Sequence, residues 1–173
     1  MRISLITADQ VAGMCCPHCG RPMPRDQVQT AAARDRWGFV GAAAWVDERL
    51  VGLFLVSSAE GSAGASLAVG WVVADHQRQG VGKAVLRHLA AALLSRGVKT
   101  LTAASGSGRG CAGFPAGWLV ACGFRPINRP HRWRLDLNRA VLAKRSLREA
   151  LVQLIPVVTP VPPPEPVGRT GVR

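Results

Sequence analysis

The segment "SLAVGWVVADHQRQGVGKAVLRHLAAALLSRGVKTLTAAS" (66–105) constrains the fold more than any other part of this 173-residue chain. Leu67, Val69, Trp71 and Val73 recur at period two, which predicts a strand with these four on one face. Val85/Leu86, Leu89/Ala90 and Leu93 then form an apolar stripe at helical spacing, with Lys83, Arg87 and Ser95 off it. Gly97 closes that helix as a C′ residue with Val98 as its hydrophobic partner, and "VKTLTAAS" resumes as a strand. A strand–helix–strand unit of this kind implies a parallel strand pair and a right-handed crossover.

The junction inside this unit leaves its backbone bare. The first N–H groups of a helix have no partner, and the helix dipole adds partial positive charge there. A tight strand-to-helix turn aims those donors at one point, which suits a phosphate. Gly80 and Gly82 let a ligand approach the main chain with no Cβ in the way, and Arg78 and Lys83 flank the spot with mobile charge. A dinucleotide fingerprint would need glycine where Val85 stands and an acid about 20 residues on, which is absent. A P-loop would need glycine at Gln77 and Ser or Thr at Ala84. What remains is Gln77-Arg78-Gln79-Gly80-Val81-Gly82 after an apolar strand.

The flanking chain supplies more elements. "RISLIT" (2–7) reads as a strand and "RDQVQTAAARDRWG" as a helix with Asp26 as N-cap and Gly38 as stop. "FVGAAAWV" and "LVGLFLVSS" around "DER" predict a hairpin of two mostly buried strands. "FPAGWLVACGF" (114–124) reads as a short helix ending at Gly123, and "HRWRLDL" alternates as a last strand. "NRAVLAKRSLREALVQLI" reads as an amphipathic helix capped by Asn138. Residues 156–173 hold six of the twelve prolines and read as a disordered tail. The expectation is one domain over 1–155, with 139–155 as an appended helix, followed by that tail.

The pattern Gln77-Arg78-Gln79-Gly80-Val81-Gly82, after "GWVVADH" and before a basic amphipathic helix, resembles the acetyl-coenzyme A loop of the GCN5-related N-acetyltransferases. The hairpin, loop strand, helix and strand, and "WLVACGF" at a Gly-Phe helix end, extend the likeness over roughly residues 1–138 in element order. "CPHC" (16–19), "CAGFPAGWLVACGF" (111–124) and "RPHRWRLDLNRAV" (129–141) resemble uncharacterised actinobacterial members that carry an N-terminal Cys-x-x-Cys. The resemblance implies a mixed α/β (α+β) fold with a largely antiparallel sheet around the parallel unit. It implies that backbone amides around Gln79–Lys83, within the loop from Gln77 and Arg78 through Gly80, Val81 and Gly82, hold the coenzyme's pyrophosphate. It also implies that the strand edge near Trp71–Val72 pairs with the pantetheine arm. The strand carrying Val72 would splay from "TLTAAS", with an amide of the splayed strand as an oxyanion-hole donor. The activity implied is direct transfer of an acetyl group from acetyl-coenzyme A to a primary amine of unspecified kind.

Acetyl transfer needs a base for the amine and benefits from an acid for the leaving thiolate. In many family members these are a glutamate on the strand after the loop helix and a tyrosine a few residues before the Gly-Phe. "TLTAAS" has no carboxylate, the chain contains no tyrosine, and Leu119 stands near the tyrosine's expected place. Cys122, His18, His76 and Ser105 are the candidates by chemistry, with Cys122 foremost because it stands in the helix where the acid is expected. Its plain reading is a small buried hydrophobe. A catalytically weak coenzyme-binding sensor is therefore the alternative reading.

Cys16-Pro17-His18-Cys19-Gly20 has the look of half a zinc ribbon, with Cys16 and Cys19 as ligands. Cys15, His18, Cys111 or Cys122 would have to complete it; reduced thiols and a redox disulfide are the other readings. The net charge is +12, and residues 76–135 contain ten Lys/Arg and no Asp or Glu. That field favours an anionic ligand. A basic zinc-mediated or nucleic-acid interaction module would exploit it too, but the segment shows no helix-turn-helix, RNA-binding or zinc-finger signature. No run approaches the roughly 20 apolar residues of a membrane span, and no signal peptide is legible, so the expected address is the cytoplasm. Oligomeric state is open.

Overall fold

Seven strands form one sheet in the order β1-β2-β3-β4-β5-β7-β6. The computed structural model describes residues 1–23, 27–58, 64–106 and 113–138. Asp26, Cys111, the helix expected over 139–155 and the tail 156–173 lie outside them. In chain order the elements are β1 (Arg2–Ile6), α1 (Ala8–Val11), α2 (Gln27–Trp37), β2 (Gly41–Val46), β3 (Arg49–Ser58) and β4 (Ala65–Val72). A 3-10 turn (Ala74–His76) leads into α3 (Val81–Ser95), then β5 (Thr100–Ala104), α4 (Ala116–Ala121), β6 (Arg125–Pro126) and β7 (Arg132–Asp136). Every pairing is antiparallel except β4 with β5, so the mixed α/β architecture with one parallel unit is the observed one.

Local chemistry fixes the element ends. The β2–β3 turn puts Asp47 and Glu48 at φ +46° and +62°, the left-handed pair that a two-residue hairpin loop demands. At the end of α3, Gly97 takes φ +79°. Its N–H reaches Leu94 O at 3.0 Å, and the Val98 N–H reaches Leu93 O at 3.0 Å. Val98 is buried, completing the hydrophobic contact of a Schellman stop.

The sheet has two apolar faces. Ala42, Ala44, Phe54 and Val56 pack with Val85, Leu86, Leu89, Ala90 and Leu93 of α3. The alternate residues Ala43, Leu53 and Leu55 pack with Val11, Cys16 and Met23 on the other side. One sequence expectation fails here. Leu67 belongs to the α3 side, whereas Val69 and Trp71 belong to the opposite side. The register explains it: Leu55 pairs with Val69 and Val56 with Leu67, leaving Ala68 as an extra residue. A bulge of this kind reverses the facing of everything beyond it.

Leu89 is fully buried at the centre of α3. Leu89→Ala should destabilise the fold by about 2–5 kcal/mol in denaturant titration, from lost burial plus the cavity left behind. Exposed Arg87→Ala should stay within roughly 0.5 kcal/mol of the parent.

Candidate active site

The parallel ladder between β4 and β5 covers only Ala65–Leu67 opposite Leu101–Ala103. Beyond it the strands part. Val73 N–H donates to Val51 O on β3 at 3.0 Å. Alternation therefore turns Trp71 toward β3 and turns Val72 and Gly70 toward the unpaired edge. The Val72 carbonyl on that edge accepts from Gln77 Nε2 at 3.0 Å. The N–H groups of Val72 and Gly70 face the gap.

Phe114 stands in the divergence. Its N–H donates to Ala104 O at 2.9 Å, and its carbonyl accepts from Gly106 N–H at 3.1 Å. Ser105 N–H, between them, points the other way to His131 O at 2.8 Å. Phe114 is thus bridged to the edge of β5 that looks toward β4. Its ring lies against Gly70, where an added Cβ would come within 2.5 Å of it. Trp118 stacks on that ring with centroids 5.4 Å apart, and Phe54 meets it edge-on at 5.7 Å.

α3 begins at this gap. Gly80 is its N-cap at φ +82°, a left-handed conformation, and no side chain caps the terminus. The first helical bond is Ala84 N–H to Gly80 O at 2.9 Å. The amides of Val81, Gly82 and Lys83 therefore precede the hydrogen-bonded ladder, as the sequence reading required. Arg78 also takes a positive φ, +59°, uncommon for a residue with a side chain. Gln79 Nε2 donates to Asp75 O at 2.8 Å. With Gln77 held on Val72, both glutamines brace the turn while their backbones shape it.

One cavity of about 670 Å³ joins these parts. Val72, Gln77, Arg78, Gly80, Val81, Gly82 and Lys83 line it, with Trp71, Phe114 and Trp118. Gln79 is exposed in the same loop and does not line the cavity. His18, His76 and Cys122 also line it, and no carboxylate does so among the described residues. A larger cavity of about 910 Å³ shares Lys83 and Cys122 but runs along α3 toward β6 and β7, away from the unpaired strand edge.

The titratable groups differ in their surroundings. Burial pushes the Cys122 thiol up to about 11, while the charges of Lys83 and Arg87 pull it partly back. At neutral pH it is protonated. His76 Nδ1 lies 3.1 Å from Asp75 Oδ1, and Asp75 Oδ2 accepts from Arg49 at 3.0 Å. The hydrogen bond from the His76 side chain holds the Asp75 carboxyl below its ordinary value; desolvation opposes it, and the charge of Arg49 adds to the lowering. Ser105 serves through its backbone between Phe114 and His131. Leu119, near the tyrosine's expected place, is fully buried.

Cys16 and Cys19 sit in a tight turn. Cys16 N–H donates to Arg21 O at 2.9 Å, Gly20 N–H donates to Cys16 O at 2.8 Å, and Cys15 bridges Pro22. The zinc expectation is not supported. Cys16 is a core side chain beside Val11 and Trp71, whereas Cys19 is exposed. No group of three or more His, Cys, Asp or Glu side chains able to hold a metal occurs among the described residues. No disulfide links the described cysteines either. The turn's visible work is to place His18 at the cavity wall.

Sequence reasoning missed Phe114 and Trp118. Their i, i+4 spacing in "FPAGW" was the available signal, but it reads equally as ordinary helix packing.

A family model described as the acetyltransferase (GNAT) family matches residues 11–109. No curated protein matches the chain. Among solved structures, Ard1 from Thermoplasma volcanium is similar with a TM-score of 0.55 at 12% identity, over 77% of this chain and 93% of that one. The ribosomal-protein-S18-alanine N-acetyltransferase from Escherichia coli gives 0.50 at 20% identity, over 79% and 93%. An aminoglycoside 6′-N-acetyltransferase complexed with coenzyme A gives 0.51 at 15% identity, over 79% and 97%. At these identities the likeness is one of fold.

The Cys122 environment carries a sign that stability measurements read. An unfolded thiol titrates near 8.5, and the folded one near 11. Between these values the unfolded chain gives up the proton and the folded chain keeps it, so stability falls as pH rises. From about pH 9 to 11 the parent should lose stability more steeply than Cys122→Ala. Parallel curves in denaturant titrations would show that the thiol is not shielded.

Proposed function

The chain belongs to the acetyltransferase (GNAT) family, and we propose on that footing that it moves an acetyl group directly from acetyl-coenzyme A to a primary amine. The observation that carries this reading is the uncapped α3 terminus opening onto an unpaired strand edge within one cavity. Val81, Gly82 and Lys83 offer backbone donors for a diphosphate, and Arg78 and Lys83 flank it with charge. Gly80 adds no Cβ to the cradle. Val72 and Gly70 N–H offer donors to an amide-bearing arm laid along β4, and one of them suits a developing oxyanion.

In the reaction a C–N bond forms as the C–S bond breaks. The amine loses a proton and the departing thiolate gains one. Cys122 is a poor proton donor for that thiolate: at about 11 it is a weaker acid than an ordinary thiol near 8.5, so the transfer runs uphill. With no carboxylate on the described lining, the proton acceptor differs from the glutamate expected by resemblance. The same observation supports the second reading, a coenzyme-binding sensor with weak turnover.

Acetyl-coenzyme A should raise the melting temperature of the parent. Gly80→Val introduces a Cβ branch at φ +82° beside the donors and should lose most of that rise. Gly97→Ala, also at a left-handed glycine but at the far end of α3, should keep it. If Gly80→Val responds like the parent, the loop assignment is wrong. Thiol release against an amine panel, including a peptide with N-terminal alanine and an aminoglycoside, separates enzyme from sensor.

A further inference from the structure

We infer that Phe114 sets the length of the acyl group this protein accepts, closing the apex of the cleft to anything much longer than acetyl. This rests on the coenzyme reading above and adds to it a specificity residue. Phe114 is fixed by backbone bonds on both sides, from its N–H to Ala104 O and from Gly106 N–H to its carbonyl. Its ring is 5% exposed and cannot swing freely, because Trp118 stacks on it and Phe54 meets it edge-on. It abuts Gly70 so closely that no side chain fits there: a Cβ would lie 2.5 Å from the Phe114 ring and 2.7 Å from the Phe54 ring.

The position of the ring gives the consequence. The unpaired edge of β4 runs from Val72 at the α3 terminus toward Gly70 at the apex. Val72 and Gly70 are the successive residues whose amides face the gap. An arm held at α3 and laid along that edge therefore points its far end at the Phe114 ring. Phe114 lines the cavity together with Gly70, Trp71 and Val72, so the ring is its end wall. The Phe114 ring itself offers only carbon, and short apolar groups suit it. Each further methylene must displace a ring locked from two sides, and interiors packed in this way yield little.

Calorimetric binding of coenzyme A and of its acetyl, butyryl and hexanoyl thioesters tests this without needing turnover. The parent should bind acetyl-coenzyme A at least as tightly as free coenzyme A, and the longer thioesters roughly ten-fold or more weakly. Phe114→Ala should bind free coenzyme A like the parent and regain at least ten-fold for butyryl and hexanoyl forms relative to acetyl. Phe114→Leu, which keeps more of the core contact, should fall between them in the same order and guards against a variant that merely unfolds. A parent that binds all three thioesters alike overturns the inference. So do variants that keep the parent's ranking while still binding free coenzyme A. Loss of free coenzyme A binding by the parent itself would instead overturn the coenzyme reading, and this inference with it.

Discussion

The short parallel ladder between β4 and β5 is the constraint on which the rest of the molecule turns. Three residue pairs hold the strands together, and then the hydrogen bonding stops. A sheet interior that leaves an edge open must satisfy those backbone groups some other way. Here the Val72 carbonyl takes the Gln77 side chain, and the β5 edge takes the main chain of Phe114. The bulge at Ala68 lies where the ladder ends, so the extra residue and the loss of pairing are one event. Phe114 then acts as a one-residue wedge, and Gly70 is the residue that makes room for it.

Several local choices near this wedge are unfavourable in isolation. A helix starts without a capping side chain, and Arg78 adopts a left-handed backbone. Lys83 and Arg87 are like charges one helical turn apart. Elsewhere the same chain follows the rules closely, as the Schellman stop at Gly97 and the hairpin turn at Asp47–Glu48 show. Conflicts that gather at one helix terminus mark a site where another requirement prevails. An anion bound at the α3 terminus would relieve several of them together.

The sequence made the strand–helix–strand unit, the hairpin and the α3 terminus legible because each has a local signature. Periodicity, paired glycines and a C′ glycine depend on neighbours within a few residues. What it hid depends on contacts across the sheet. The period-two run through Leu67, Val69 and Trp71 looks unbroken, yet the register with β3 splits it, because a bulge is a property of two strands. Phe114 reads as the start of a helix segment until β5 is seen beside it. Cys-x-x-Cys spacing suggests a chelate, but whether two thiols point the same way depends on packing, and here Cys16 joins the core. The resemblance points to the strand edge near Trp71–Val72; alternation puts the gap-facing amides at Val72 and Gly70.

The missing acids then acquire a second meaning on the proposed reading. Residues 76–135 carry ten Lys/Arg and no Asp or Glu, and the described lining of the cavity has no carboxylate. A field of that sign attracts the phosphates of a coenzyme and disfavours an ammonium ion in the same cavity. Like charges lower the pKa of an amine by favouring its neutral form. A described lining that offers cations and no carboxylate thereby lessens the need for a base, because the acceptor sheds its proton more readily as it approaches. Cations and acceptor chemistry are in this sense linked: the same residues that hold the donor promote the nucleophilic state of the amine.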